Sequence, residues 1–233
     1  MKIALLGYGK MGKAIEAIAI ERDHEIVLKI SSASENYTLQ NCDVAIDFSL
    51  PSSAVANISK CLESGVPIIS GTTGWLDDYD NVISLCNSKN GTFLYASNFS
   101  LGVNIFFELN KTLAKLMAKL PQYKVDVEEI HHTQKLDAPS GTAITLAKDI
   151  IESTNYENWT LDTPKPNEIG ITAKRIEHVP GTHDINYKSE VDSIQITHTA
   201  HSRKGFALGA VIAAEFIHDK KGVFTMKDVL NIN

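Results

Sequence analysis

Two adjacent histidines, a lysine and a Pro-Ser-Gly-Thr turn fall within one short run of this chain, Glu128-Glu-Ile-His-His-Thr-Gln-Lys-Leu-Asp-Ala-Pro-Ser-Gly-Thr-Ala143. Histidine titrates near neutrality, so His131 or His132 can hand over a proton. Lys135 carries its ammonium on a flexible stem that can swing toward a bound anion. Pro139 stiffens the turn and Ser140 is a good helix cap. The N–H groups of Gly141 and Thr142 then face outward at a helix N-terminus, a natural seat for a carboxylate. Proton donor, cation and anion cradle together suit acid-assisted chemistry on a small anionic molecule. The segment before them, Lys124 to Ile130, reads as a strand with Val125 and Val127 on one face. Side chains alternate along a strand, so His131 and His132 are expected to look in different directions at its end. Thr142 to Ile151 reads as the helix that follows.

The chain opens on a second unit with chemical meaning. Lys2 to Leu6 is a buried-type strand, Gly7-Tyr-Gly-Lys-Met-Gly12 follows, and Lys13 to Arg22 has helical character. Strand, Gly-x-Gly-x-x-Gly and helix is the order a dinucleotide fold requires. Gly7 permits the tight turn, Gly9 lets backbone approach a pyrophosphate, and Gly12 lets helix and strand pack closely. The next strand, Glu25 to Ile30, ends in Lys29-Ile-Ser-Ser-Ala33 without the acidic residue that plain NAD favours. The first carboxylate is Glu35, in the loop. A 2′-phosphate is not repelled there, and Lys10, Lys29, Ser31 or Ser32 could meet it. The cofactor expected is therefore NADPH or NADH, with a lean toward NADPH or dual use.

Further strands are read at Asp43–Ser49 with its exit loop, Pro67–Ser70 and Thr92–Ala96, with helices from Pro51 to Ser64 and from about Leu76 to Ser88. Alternating strands and helices argue for a doubly wound parallel sheet, in which ligands sit beyond the strands' carboxyl ends. The polar clusters Gly7–Gly12, Asp47–Ser49, Gly71–Gly74 and Ser97–Ser100 all fall there. Val103 to Leu120 is a long amphipathic helix closed by Pro121, read as the bridge to a second domain. That domain holds the His-His-Lys unit, a polar stretch from Ser153 to Gly170, and strands at Ile171–Glu177, His183–Tyr187 and Ser193–Thr199. A meander of this kind gives an open sheet with one helix-covered face, whose other face could pair with another subunit. Ala207 to Ile217 and Gly222 to Leu230 are expected to return to the first domain. The architecture expected is α/β: a Rossmann-like domain of residues 1–102 and 204–233, and a smaller α+β substrate-binding and oligomerisation domain of residues 103–203 with an open mixed sheet.

Composition narrows the class. The chain has 233 residues, 43% hydrophobic and 21% charged, ordinary for a soluble globular protein. A net charge of -6 argues against nucleic-acid or basic membrane-surface binding. No apolar run reaches the ~20 residues needed to span a bilayer. Met1 leads directly into the first strand, which leaves no room for a signal peptide. The three cysteines, Cys42, Cys61 and Cys86, are scattered, as for thiols in a reducing cytoplasm. His198 and His201 lack the spacing and helix of a zinc site, so no metal is expected. With His24, His178, His183 and His218 they read as ordinary polar residues. Arg203 could salt-bridge at the domain junction or reach a ligand, and Trp75 and Trp159 have no assigned place.

The run from Glu128 to Ala143 resembles the signature of the bacterial dihydrodipicolinate (4-hydroxy-tetrahydrodipicolinate) reductases, and the resemblance extends nearly end to end. Gly7, Tyr8, Gly9, Lys10, Met11 and Gly12 look like the family's cofactor loop. Asp47-Phe48-Ser49, Gly71-Thr72-Thr73-Gly74 and Ala96-Ser97-Asn98-Phe99 match its other nicotinamide-nucleotide contacts. Ile196–Arg203 and Phe206–Ala210 match its C-terminal signature. The resemblance implies reduction of a cyclic imine dicarboxylate in diaminopimelate and lysine biosynthesis, in the cytoplasm, by a homotetramer paired through the second-domain sheet. It further implies that His131 donates the proton, that Lys135 is its partner, and that His132, Ser140, Gly141 and Thr142 hold the substrate's carboxylates. The cofactor would supply hydride, His131 the proton, and Lys135 stabilisation of the developing negative charge. Two departures stand out: the missing acid after the second strand, and Arg175-Ile-Glu-His178, where the family often has Arg-x-Gly-Asp. Two other readings stay open. One is another small-molecule dehydrogenase of amino-acid or semialdehyde type; the other is a non-catalytic nucleotide-sensing subunit, which has no reason to keep His131 and Lys135.

Overall fold

The computed structural model describes residues 1–31 and 36–232. Ser32 and Glu35, weighed above for the cofactor's ribose, lie outside the described residues. The first half runs β1 (Lys2–Leu6), α1 (Lys10–Glu21), β2 (Glu25–Ile30), β3 (Val44–Asp47), α2 (Pro51–Glu63), β4 (Ile68–Ser70), α3 (Tyr79–Ser88) and β5 (Thr92–Tyr95). Next come α4 (Leu101–Met117), β6 (Lys124–His131), α5 (Gly141–Ser153), β7 (Asn158–Thr160), β8 (Glu168–Arg175), β9 (Gly181–Lys188) and β10 (Ser193–Ala200). The chain ends with α6 (Lys204–Ile217), β11 (Gly222–Phe224) and α7 (Met226–Leu230). It divides into two compact units, residues 1–101 with 204–233, and residues 102–203.

The first unit carries a six-stranded parallel sheet in the order β11-β5-β4-β3-β1-β2. Its strands are short and almost wholly apolar because helices cover both faces. One core joins Ile3, Leu5 and Ile46 to Ile15 of α1 and Val211 and Ala214 of α6. The other joins Leu6, Ala45 and Ile68 to Ile58 and Leu62 of α2 and Val82 of α3. The order in which strands are added reverses between β1 and β3, with β2 on one side of β1 and β3 on the other, which opens a crevice at the carboxyl ends of those parallel strands. Alpha-helix α1 begins at Lys10, three residues before the expected start, so Lys10 and Met11 sit in its first turn. Leu76–Asp78 form a separate 3-10 turn ahead of α3. Trp75 is buried against Tyr79, Phe93 and Tyr95 and donates to the Thr72 carbonyl at 2.7 Å. All three cysteines are free thiols.

The second unit carries a mixed five-stranded sheet in the order β10-β9-β6-β8-β7. This corrects the expected meander: β8 does not pair with β9, because β6 lies between them, parallel to β8 and antiparallel to β9. Within the polar stretch from Ser153 to Gly170, β7 forms and brings Trp159 to the sheet. Helices α4 and α5 cover one face, packing Phe106, Ala114, Leu146 and Ile150 on Val125, Val127, Ile171 and Ile185. The opposite face is polar, with Lys188 2.8 Å from Asp126, Asn186 3.0 Å from Asp126, and Lys174 paired with Glu128.

Candidate active site

In the first unit the glycine turn leads into α1 with Gly9 as N-cap, no side-chain cap and no acidic residue in the first turn. That leaves the helix N-terminus open to an anion. A Cβ on Gly9 would meet nothing within 4 Å, so the backbone faces open space. Gly7 is different: its φ is +98°, and a Cβ would lie 2.0 Å from the Phe48 carbonyl oxygen. A Cβ on Gly12 would lie 2.4 Å from the Gly7 carbonyl oxygen, so helix and turn meet there as closely as the pattern demands. Two adjoining clefts share Gly9, Phe48 and Ser49. One, of about 410 Å³, is lined among others by Gly7, Tyr8, Ser31 and Tyr37. The other, of about 460 Å³, is lined by Lys10, Met11, Gly71, Thr72 and Thr73.

Of the sequence-predicted cofactor residues, Ala96, Ser97, Asn98 and Phe99 line neither cleft; Phe99 is buried with its ring 5.6 Å from that of Phe48. Thr72 is committed elsewhere. Its hydroxyl donates to Asp47 at 2.7 Å and accepts from the Ser49 N–H at 2.8 Å. Asp47 is fully buried and also accepts from Asn57 at 3.0 Å and Ser70 at 2.9 Å. Burial pushes its carboxyl up, while bonds from Ser49, Thr72, Asn57 and Ser70 oppose that. Asp47 thus ties together the loops that line the clefts. Lys29 corrects an expectation: it pairs with Glu16 of α1 and lies 5.1 Å from the Tyr8 ring centroid, so it already has a counter-charge.

In the second unit the alternation of β6 puts Glu129 and His131 on the helix-covered face, both buried, and turns His132 elsewhere. Nδ1 of His131 lies 3.3 Å from Glu129 Oε2, an ion-pair contact lying off the hydrogen-bond line. Nδ1 of His132 is buried with no hydrogen-bond partner among the described residues. Ser140 caps α5 as expected, accepting from the Ala143 N–H at 3.2 Å. Its own N–H reaches both Glu129 oxygens at 3.1 Å. Lys135 lies in the following loop, with Nζ 2.8 Å from both Asp137 carboxylate oxygens. Such a pair with a mostly exposed partner is worth little, so the ammonium can exchange Asp137 for another anion.

Three residues that the sequence reading left without a role complete the cluster. Arg175, at the end of β8, donates to Glu129 Oε1 at 3.0 Å and to the backbone oxygens of Asp137 at 2.6 Å and Lys135 at 3.3 Å. Glu129 takes that guanidinium on a fully buried carboxylate. Burial pushes Glu129 up, but the close His131 ring and the bonds from Ser140 and Arg175 outweigh it and hold its pKa at about 2. His183 of β9, read from sequence as an ordinary polar residue, lies with its ring 5.0 Å from that of His131 and Nε2 3.1 Å from Ser140 Oγ. Burial first, then the neighbouring His131, lowers its pKa to about 3, so it is neutral at pH 7. The period-two pattern could have found Glu129, whereas Arg175 and His183 arrive only through strand pairing. The ligand atoms of Glu129, His131 and His183 lie within 4.8 Å of one another, a spacing a cation could use. Arg175 and the Ser140 N–H already occupy the Glu129 oxygens, and a guanidinium repels a metal ion. Beyond β8, the left-handed residue of the turn is His178, with φ 63°, so the turn does not demand a glycine at Glu177. Arg203 is exposed.

Residues 1–99 match the family model described as dihydrodipicolinate reductase, N-terminus, and residues 102–230 the one described as dihydrodipicolinate reductase, C-terminus. The chain is 58% identical over 234 residues to a 4-hydroxy-tetrahydrodipicolinate reductase of Christiangramia forsetii, covering 99% of this chain and 98% of that protein. It is 34% identical over 230 residues to the enzyme of the same name from Neisseria meningitidis serogroup B, covering 94% and 84%. Among solved structures, a dipicolinate-bound dihydrodipicolinate reductase from Paenisporosarcina sp. TG-14 superimposes with a TM-score of 0.76 at 22% identity, covering 97% of each chain, a likeness of fold. The glycine turn of the first unit, the His-His-Lys cluster of the second, and matches that together span nearly the whole length place this chain in the dihydrodipicolinate reductase family.

Proposed function

We propose that the protein reduces 4-hydroxy-tetrahydrodipicolinate, a cyclic dicarboxylate, to tetrahydrodipicolinate in diaminopimelate and lysine biosynthesis, with the 4-hydroxyl lost as water and one hydride and one proton added to the ring. The observation that carries this reading is the hydrogen-bonded cluster of the second unit. A buried histidine, a second histidine with an unpartnered Nδ1, a capped helix N-terminus and an exchangeable lysine are linked through Glu129 and Arg175. Nothing in packing alone calls for that set.

A reduced nicotinamide dinucleotide, NADH or NADPH, supplies the hydride when bound. Gly7, Tyr8, Gly9, Lys10, Met11 and Gly12 would hold its pyrophosphate, and Ser31, Phe48, Gly71, Thr72 and Thr73 line the adjoining clefts. The open space over Gly9 supports that fit. Ala96, Ser97, Asn98 and Phe99 shape the same strand edge. His131 gives a proton to the reduced ring, and the Lys135 ammonium leaves Asp137 to stabilise negative charge there. His132, Ser140, Gly141 and Thr142 seat the carboxylates, with the N–H groups of the first turn of α5 directed out of the helix end. We read the second-unit sheet as the pairing surface of a homotetramer and the cytoplasm as its compartment; among the described residues no helix is long and apolar enough to cross a membrane.

Steady-state assay with freshly generated substrate and each reduced cofactor tests the reading. His131→Ala and Lys135→Ala should each lower turnover by about a hundredfold or more while nucleotide affinity stays near normal. Loss of nucleotide affinity in either variant would overturn these two roles. Pyridine-2,6-dicarboxylate, a planar mimic, should compete with substrate; its failure to inhibit would count against the carboxylate seat.

A further inference from the structure

We propose that Glu129 is the positioning residue of the proton transfer: it engages Nδ1 of His131 and thereby makes Nε2 the nitrogen that releases the proton. This rests on His131 as the proton donor. Four observations support it. Glu129 and His131 stand two residues apart on one face of β6, with Oε2 3.3 Å from Nδ1. The carboxylate cannot turn away, because the Ser140 N–H binds both its oxygens at 3.1 Å and Arg175 binds Oε1 at 3.0 Å. The Nε2 edge lies beside Gly181. A Cβ at residue 181 would lie 3.1 Å from His131 Nε2, and the residue there is glycine. Finally, His183 beside it has Nε2 on the Ser140 hydroxyl and stays neutral, so it adds no second positive charge next to the His131 ring.

In the transfer, the Nε2–H bond of the His131 imidazolium breaks and the proton passes to the ring that has received the hydride. The Nδ1–H stays beside Glu129, which remains a carboxylate throughout, and solvent later restores the proton. The ionisable groups around His131 are Glu129 on its own strand, Arg175 from β8, His183 from β9, and Lys135 with Asp137 from the loop; His198 on β10 also acts on His183. Among the described residues Glu129 is the negative charge in contact with the ring, and removing it makes the protonated form harder to keep.

The test compares wild type with Glu129→Gln, which preserves shape and removes the charge, and with His131→Gln. The pH profile of kcat/KM should show the limb where activity falls with rising pH moved about one unit lower in Glu129→Gln. Its kcat at neutral pH should fall by about tenfold or more, with nucleotide affinity unchanged. In 15N-histidine NMR spectra, with His131→Gln giving the assignment, Glu129→Gln should shift the His131 ring from the Nδ1–H toward the Nε2–H form as it titrates. A purely structural role for Glu129 would lower the folded fraction but leave limb and tautomer in place, and that result overturns the inference. Full turnover in His131→Gln would instead defeat the donor reading, while the NMR measurement would still report on the Glu129–His131 coupling.

Discussion

Asp149→Asn should make the protein more stable at pH 8 and much less so at pH 4.5. Asp149 lies on the buried side of α5, 7% exposed, with Oδ2 lacking a hydrogen-bond partner among the described residues and Oδ1 3.6 Å from Lys111 Nζ. Burial raises its pKa to about 6; Lys111 opposes the rise, and Glu152 and Glu108 add to it. The unfolded carboxyl titrates near 3.8. The folded state therefore binds the proton more tightly, and stability falls as pH rises from 3.8 through 6 and stays reduced above that. The gap of about two pKa units corresponds to about 3 kcal/mol at pH 8, and only about a third of that remains at pH 4.5. For a chain of this size each kcal/mol moves the melting temperature by ~2–4 °C, so the variant should melt up to about 10 °C higher at pH 8. Lys111 keeps a partner in the variant, since Glu108 lies 3.3 Å away. Paired thermal melts of both proteins at the two pH values cancel the contribution of every other carboxylate. An equal difference at both pH values, or a lower melting temperature for the variant at pH 8, would show that the Asp149–Lys111 pair stabilises the fold and would refute the reasoning.

Gly181→Ala should fold normally, because the residue sits in β9 without a left-handed φ, yet its methyl would press on His131 Nε2 from 3.1 Å. Turnover should drop by about tenfold with nucleotide binding intact, as measured by steady-state kinetics alongside nucleotide titration. Asp47→Ala leaves Asn57, Ser70 and Thr72 without their buried acceptor and should cost about 3–5 kcal/mol in denaturant unfolding. Nucleotide binding should weaken in the same variant, because the loops it ties together line the clefts; a loss under about 1 kcal/mol would show that the network is dispensable.

Local signals made much of this molecule legible before any coordinates. The strand–glycine–helix opening is a short-range pattern, and each glycine's demand can be read within six residues: the close contact of Gly12 with Gly7 is the packing the spacing asks for. Ser140 as a helix cap is likewise a local fact, since its hydroxyl needs only the N–H three residues on. Alternation along β6 separates His131 from His132 and would have paired His131 with Glu129 had the buried carboxylate been given weight. Tertiary structure decided the rest. Arg175 is 46 residues from Glu129, and His183 is 43 residues from Ser140. They meet only because β6 takes β8 on one side and β9 on the other, an order no local period specifies. Lys29 shows the same limit in reverse: its sequence setting suggests a cation open to a phosphate, and the packing of α1 on β2 supplies Glu16 instead. Residue type and spacing state which chemistry a chain can perform. Which groups are buried, paired and held in one orientation depends on strand order and register, because desolvation and ion pairing act through space and not along the chain.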